Sequence, residues 1–361
     1  MAMALSLGRR GQGRCWPNPA VGCVIVKDGR VAGRGWTQPG GRPHAEREAL
    51  DRAGEASRGA TAYVTLEPCS HHGKTPPCAE ALIDAGVARV VAAIEDTDPR
   101  VAGQGFAKLQ AAGIEVTTGV MAEEAAHDLA GFFLRTEHGR PFVTLKLASS
   151  FDGRIATATG ESQWITGPEA RRVVHAMRAT HDAVMVGAGT ARADDPSLNV
   201  RGLGVDHQPV RVVVSRRLDL PLLGQLARSA QEVPVWLCCG HDADTERKAA
   251  WTGLGARLLE CDTRGVQLDP LDVLTQLGSA GLTRVFCEGG SALAASLLAS
   301  DLVDELIGFS AGLVIGAEGM PSIGAMGLGR LEEAPRFRLA SSRAIGPDIL
   351  HVWRRKTRRL L

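Results

Sequence analysis

Two stretches gather the side chains best able to do chemistry: "HAEREAL" at residues 44–50 and "EPCSHHGKTPPC" at residues 67–78. The first supplies His44 and Glu46, and the second Cys69, His71, His72 and Cys78. Such a set allows a disulfide loop, a closed structural zinc site with four protein ligands, or an open site whose three ligands leave a position for water. Eight cysteines scatter through 361 residues, and the opening residues lack the pattern of a secretory signal. Reduced thiols are therefore expected, which sets the disulfide aside. A closed site would recruit His71 or His72. An open site would use His44, Cys69 and Cys78 and give Glu46 a task.

One nitrogen and two sulfur ligands beside a non-ligand glutamate form the zinc deaminase arrangement, in which a metal-activated water attacks and the glutamate shuttles a proton. Geometry adds a condition. Residues two apart on a helix diverge by about 200°, so His44 and Glu46 can serve one metal only if it sits over the helix entry. Gly40, Gly41 and Pro43 mark such an entry, and Pro77 marks another directly before Cys78, where the helix dipole favours a thiolate. The generic spacing is P-C-x-x-C, but eight residues separate Cys69 from Cys78 here. That inserted loop is expected to fold outwards, shape a special pocket and carry His71 and His72 near the substrate.

The surrounding pattern supplies elements to hold these residues. "AVGCVIVKDGRVAGRGWT" reads as a hairpin with Asp28-Gly29 in its turn. A helix follows from His44 to Gly54, a strand at "TAYVTLEP", a helix opening at Pro77, a strand at "ARVVAAIED", then another helix and strand. Such alternation predicts an α/β domain with a largely parallel sheet. A second α/β unit is expected from "PFVTLKLASSFDGRIAT", with the boundary at Gly139, giving domains 1–139 and 140–361. Further strands are expected at "DAVMVGAGT", "VRVVVSR", "VPVWLCC", "RVFCEGG" and "VDELIGFSAGLVIG".

Hydrophobic residues make up 44% and charged residues 22%, and 41 Lys and Arg balance 40 Asp and Glu for a net charge of +1. That balance gives no field for nucleic acid or an anionic membrane, and no apolar run reaches the roughly 18 residues of a membrane span. A small-molecule substrate and a cytoplasmic location are expected. The basic end "WRRKTRRLL" reads as a solvated tail.

In the second half, "RVFCEGGSALAASLL" has the strand, glycine turn and helix of a nucleotide-phosphate site, although no G-x-G-x-x-G follows any strand. A tight strand-to-helix turn explains the glycine pair as well. The larger motifs say more. "PNPAVGCVIVKDG", "HAEREAL" and "EPCSHHGKTPPC" resemble the deaminase half of the bifunctional riboflavin-biosynthesis deaminase–reductase family. "LKLASSFDGRIAT", "GESQWIT", "VGAGTARADDPSLNVR" and "CEGGSALAASLL" resemble its reductase half, in the family's order.

The resemblance implies a cytidine deaminase-like three-layer domain followed by a dihydrofolate reductase-like α/β domain. It implies zinc on His44, Cys69 and Cys78, Glu46 as proton donor, and Asn18 against the substrate. For the reductase it implies NADPH contacts at Ala148, Trp164, Thr190, Asp194, Ser215 and the turn Gly290, Ser291, Ala292, Leu293, Ala294, Ala295 and Ser296. Ser162, Arg178, Leu198, Arg201 and Glu288 would hold the ribosylamino-pyrimidine phosphate. The residue types suit these roles: Arg178 and Arg201 offer forked donors to phosphate, and Trp164 a flat surface for a ring. Without their motifs they would read as surface arginines and a core tryptophan.

Lys146 could protonate or hydrogen-bond the sugar as it opens, or could be a lysine with a buried stem and a surface head. Ser310-Ala311 stands where the family commonly has Ala-Pro. The resemblance further suggests a homo-oligomer built through the reductase domains, and NADPH rather than NADH. Two other readings compete: a deaminase of another base or of tRNA with a divergent appended domain, and a non-enzymatic zinc-stabilised module. The first would not need the reductase motifs, and the second would have no use for Glu46.

Overall fold

A computed structural model describes residues 1–71, 76–98 and 101–355. The chain divides into two compact units, Met1–Gly139 with Gly281–Thr283, and Arg140–Ala280 with Arg284–Leu361. The helices are α1 (Ala2–Gly8), α2 (Ala45–Ala53), α3 (Cys78–Asp84), α4 (Gln104–Ala111), α5 (Ala122–His138), α6 (Pro168–Ala179), α7 (Ala188–Asp194), α8 (Gln225–Arg228), α9 (Thr245–Gly253), α10 (Pro270–Ser279) and α11 (Ser291–Ala299).

The first unit is built on β1 (Gly22–Lys27), β2 (Arg30–Trp36), β3 (Thr61–Val64), β4 (Arg89–Ala92) and β5 (Glu115–Thr117), ordered β2-β1-β3-β4-β5. β1 runs antiparallel to β2 and β3, whereas β3, β4 and β5 are parallel. Asp28 and Gly29 both take positive φ, 48° and 72°. Two such residues make the hairpin turn whose twist matches its strands. Gly35 on β2 shows why α2 lies so close to the sheet: a Cβ there would stand 2.1 Å from the Ala45 carbonyl oxygen. Beneath the helices, Ile25, Ala62, Leu82, Val90 and Leu109 are among the residues filling one apolar core.

The second unit carries β6 (Phe142–Ser150), β7 (Arg154–Ala156), β8 (Ala183–Gly187), β9 (Val210–Val214), β10 (Val235–Gly240), β11 (Arg257–Cys261), β12 (Thr263–Arg264), β13 (Gln267–Leu268), β14 (Arg284–Gly289), β15 (Glu305–Ala311), β16 (Met320–Pro321), β17 (Phe337–Ile345) and β18 (Asp348–Arg355). Its main sheet is ordered β11-β10-β9-β8-β14-β6-β15-β18-β17. From β11 to β15 every neighbouring pair is parallel. β8, β10 and β14 are buried along nearly their whole length, as strands covered on both faces must be.

β17 and β18 then close the sheet as an antiparallel hairpin that the sequence pattern did not reveal. The polar, largely exposed side chains of β17 hide the alternation that marks a half-buried strand. Part of the expected basic tail belongs to this hairpin, since Trp353, Arg354 and Arg355 end β18. The remainder, 356–361, lies outside the described residues.

Candidate functional site

In the first unit His44 is the N-cap of α2, in extended conformation, and Glu46 follows inside the first turn. Cys69 lies in the loop after β3, and Cys78 is the first residue of α3. The chain thus brings two helix entries together, the arrangement that lets residues two apart face one point. His44 Nδ1 stands 3.3 Å from Cys78 Sγ and 3.7 Å from Cys69 Sγ. Among the described residues these three form the one group of donors that could hold a metal, their ligand atoms within 4.8 Å of one another.

Tetrahedral zinc with bonds of about 2.0–2.1 Å to nitrogen and about 2.3 Å to sulfur places such donors about 3.5–3.8 Å apart, so the set fits zinc with one position left over. Of the two thiols, Cys69 is already biased towards the thiolate that zinc takes, whereas Cys78 is not, contrary to the expectation from its helix entry. A hydrogen bond from Cys78 pushes the Cys69 thiol down to about 4, helped by the bond to His44 and by the Cys78 N–H, while the Cys78 thiol is pushed up.

Glu46 is buried, and that burial pushes its carboxyl up to about 7 against the pull of His44. Asn18 sits against the approach to α2: a Cβ on Gly41 would fall 1.9 Å from Asn18 Nδ2. His71 is exposed beyond Cys69, and His72 lies outside the described residues.

Sequence reasoning passed over Glu67. Its buried carboxylate accepts from the backbone N–H groups of Gly103, Gly105, Asp96 and Phe106, at 2.9, 2.8, 3.2 and 3.3 Å. The loop that starts at Cys69 is thereby tied to the entry of α4. Its one signal in the sequence was an acidic residue directly before Pro68-Cys69.

In the second unit the register aligns the ends of four adjacent parallel strands. Gly187 pairs with Val214, Val186 with Gly289, and Cys287 with Leu145. Ser215, the start of α7, Glu288 to Gly290, and Lys146 to Ala148 therefore share the carboxyl edge of the sheet, where open parallel sheets bind ligands. Gly289 and Gly290 have φ of 85° and 91°, and a Cβ on Gly290 would come within 2.9 Å of Thr190 Oγ1. That close approach places Thr190 of α7 beside the turn opening α11. The first-turn N–H groups of α11 lack partners within the helix and suit a phosphate.

The remaining nucleotide candidates are spread more widely. Within α11 Ala294 and Ala295 are buried in the core, whereas Ser291, Leu293 and Ser296 are half-buried and Ala292 is exposed. Trp164 is 67% exposed with the Arg171 guanidinium 4.4 Å from its ring centroid. Ser215 is buried and its hydroxyl donates to Asp219 at 3.4 Å, and Asp194 ends α7 in an exposed position. Ser162 is half-buried in the loop before α6.

Glu288 joins Lys146 and Arg178 in one largely buried cluster. Arg178 donates to both carboxylate oxygens of Glu288 and, through a third nitrogen, to the Asn199 carbonyl at 2.8 Å. Lys146 Nζ stands 3.8 Å from Glu288. The fork expected to be free for phosphate is therefore largely engaged within the protein. Burial alone would raise the Glu288 carboxyl, but Arg178 and Lys146 hold it below its usual range, while burial pulls Lys146 down against the opposing effect of Glu288.

Leu198 is buried with φ of 53°, in the same loop as Asn199 and Arg201. The Arg201 N–H donates to His175 Nδ1 at 3.2 Å. His175 is a residue that sequence reasoning missed; its position one turn before Arg178 on α6 was the available signal.

Taken together, a three-donor set that fits zinc beside a buried glutamate, and a parallel sheet with a glycine turn at its carboxyl edge, are the features of a metal-dependent deaminase joined to a nucleotide-dependent reductase. Residues 1–94 match the cytidine and deoxycytidylate deaminase zinc-binding region, and residues 141–351 match the RibD C-terminal domain. The riboflavin biosynthesis protein RibD of Escherichia coli (strain K12) is 44% identical, covering 98% of both chains. A solved structure of Acinetobacter baumannii RibD, form 1, aligns with TM-score 0.87 at 39% identity over 99% of this chain and 98% of that one. A Thermotoga maritima structure described as a diaminohydroxyphosphoribosylaminopyrimidine deaminase/5-amino-6-(5-phosphoribosylamino)uracil reductase aligns with TM-score 0.86 at 34% identity, over 98% and 97%.

The chain belongs to the RibD family of bifunctional deaminase–reductases in riboflavin biosynthesis. Its cofactors are zinc for the deaminase and NADPH for the reductase, on cytidine deaminase-like and dihydrofolate reductase-like folds. No helix among the described residues is long and apolar enough to cross a membrane.

Proposed function

We propose that residues 1–139 remove the pyrimidine 2-amino group of 2,5-diamino-6-ribosylamino-4(3H)-pyrimidinone 5′-phosphate, and that residues 140–361 reduce the resulting ribosylamino-uracil to the ribitylamino-uracil. The observation that carries the first half is the meeting of His44, Cys69 and Cys78 beside a buried Glu46. Zinc held by these three residues would supply Lewis-acid activation of a water. Glu46 would take one proton from the attacking water as its oxygen bonds C2 and return it to the departing nitrogen as the C2–N bond breaks, so that ammonia leaves and the water's oxygen and second proton stay with the product. Asn18, against the α2 entry, orients the pyrimidine by hydrogen bonding.

For the second half, NADPH supplies hydride to the ribosyl C1′. Lys146 gives a proton to the ring oxygen as the C1′–O bond breaks, held in place by Glu288. Arg201, Ser162 and the Leu198 loop hold the substrate phosphate, and Arg178 supports them through Glu288 and Asn199. The Gly290–Ser296 turn, Thr190, Ser215, Ala148, Asp194 and Trp164 form the cofactor side. Eight free cysteines favour a cytoplasmic enzyme, the net charge of +1 disfavours a nucleic-acid partner, and the family resemblance favours a homo-oligomer.

The test adds the diaminopyrimidine ribosyl phosphate to zinc-loaded protein and follows ammonia release, then NADPH oxidation after NADPH is added. Ammonia first and stoichiometric NADPH loss afterwards is the expected result. Glu46→Ala should keep zinc and reduction while losing deamination, and Lys146→Met should do the converse. Unchanged deamination by Glu46→Ala would overturn its assignment, and unchanged reduction by Lys146→Met would overturn that of Lys146.

A further inference from the structure

Beside the edge strand of the first unit lies a cavity of about 280 Å³ lined by Leu7, Arg10, Arg34, Trp36 and Arg52. It is not part of the His44 centre, because Arg52 follows His44 by eight residues, a separation of about 12 Å along α2 at helical rise. Two guanidinium groups lie over the Trp36 ring, Arg10 at 5.1 Å and Arg52 at 5.3 Å from its centroid. A guanidinium held over an aromatic ring still has N–H donors available to other partners.

Arg52 spends two of its donors on the Arg34 carbonyl and on Glu48, each at 2.6 Å. Among the described residues the Arg10 and Arg34 side chains make no hydrogen bond or ion pair. Three cations thus converge around one cavity while one carboxylate is paired with them. Like charges held together repel, and a bound anion relieves that repulsion.

We propose that this cavity binds the diphosphate group of a small molecule. Arg10 and Arg34 supply forked donors to its oxygens, Trp36 aligns the guanidinium of Arg10 beside that of Arg52, and buried Leu7 excludes water from one side. The volume decides the size of the ligand portion held: it falls just below the roughly 300 Å³ at which pockets for whole drug-sized ligands begin, so it fits an anionic head group rather than an entire dinucleotide.

The experiment is a calorimetric titration of full-length, zinc-loaded protein, saturated with NADPH so that the cofactor phosphate sites are filled and carrying Arg201→Gln so that the substrate phosphate site is weakened, with inorganic pyrophosphate and, separately, with ADP. One equivalent of each should bind, and Arg10→Gln/Arg34→Gln should weaken both at least about tenfold, the loss expected for charge-assisted contacts. Each single variant should fall between. The tryptophan emission change on binding should vanish in Trp36→Phe. Deaminase turnover retained by the double variant shows that the unit is folded. Absence of binding, or binding of both probes unaffected by the double variant, overturns the proposal.

Discussion

Glu288 lies between two cations, and its loss should have two separable effects. Glu288→Gln leaves Arg178 and Lys146 without their shared counter-charge, which costs about 3–5 kcal/mol for a buried pair broken on one side. Chemical denaturation of the variant measures that loss. Removing the carboxylate also lets burial pull Lys146 further down, so the alkaline limb of the reductase pH profile should move to lower pH. A limb that stays in place would mean that Lys146 does not carry the titrating proton. At His175, replacement by Ala removes the acceptor for the Arg201 N–H. The KM for the phosphorylated substrate should rise about fivefold, the equivalent of one hydrogen bond of about 1 kcal/mol, with the NADPH KM unchanged. His175→Asn, which keeps an acceptor, should recover part of the loss; equal effects of both variants would point to packing instead.

At the scale of elements, the deaminase centre depends on how α2 and α4 are set against the sheet. Gly35→Ala would drive a Cβ into the Ala45 carbonyl and the Ala49 N–H. The helix must shift, at a cost of about 1–3 kcal/mol for such overpacking, and His44 and Glu46 move with it. Thermal unfolding and zinc content should both fall in that variant while NADPH binding persists; normal zinc content would show that α2 adjusts without moving its entry. Glu67→Ala strands four backbone donors, three of them buried. It should lower stability by several kcal/mol and slow deamination by loosening the loop that carries Cys69. These dependencies were half-legible: the hairpin, the helices opening at His44 and Pro77 and the strand-to-helix turn at Gly290 follow from local glycine, proline and apolar patterns. The β17–β18 hairpin was not, because its polar strand acquires its place only by pairing with β15 through β18.

For the whole molecule, the two units should respond to pH and ligands separately. His181 is buried in the second unit; its Nδ1 bonds the Met177 carbonyl at 2.7 Å and its Nε2 bonds the Thr144 hydroxyl at 3.0 Å. A carbonyl only accepts, so Nδ1 carries a proton, and in the neutral ring Nε2 accepts from the Thr144 hydroxyl. Burial pushes this histidine down to about 4. The unfolded chain therefore binds a proton near pH 6.5 that the folded unit refuses until about pH 4. The stabilisation is complete above pH 6.5 and is lost as pH falls through that window, up to about 3 kcal/mol. Calorimetry should show the NADPH-shifted transition falling between pH 6.5 and 4, and His181→Gln should flatten that dependence. An equal slope in the variant would place the titrating group elsewhere.

The sequence by itself determined the chemistry: which nitrogen, sulfur and carboxylate groups are present, that helix entries at Pro43-His44 and Pro77-Cys78 could let them face a metal, and which family's motifs run the length of the chain. Those features are local, and backbone preference writes them into adjacent residues. Tertiary structure decided what those groups have to share. Arg178 is held by Glu288 rather than left free, Glu67 ties the Cys69 loop to α4, His175 meets the Arg201 backbone, and Arg10, Arg34 and Arg52 converge beside Trp36. Each of these partners is brought in by packing and strand register across tens of residues of chain, where a side chain's type says what it can bond but not what will be placed within reach.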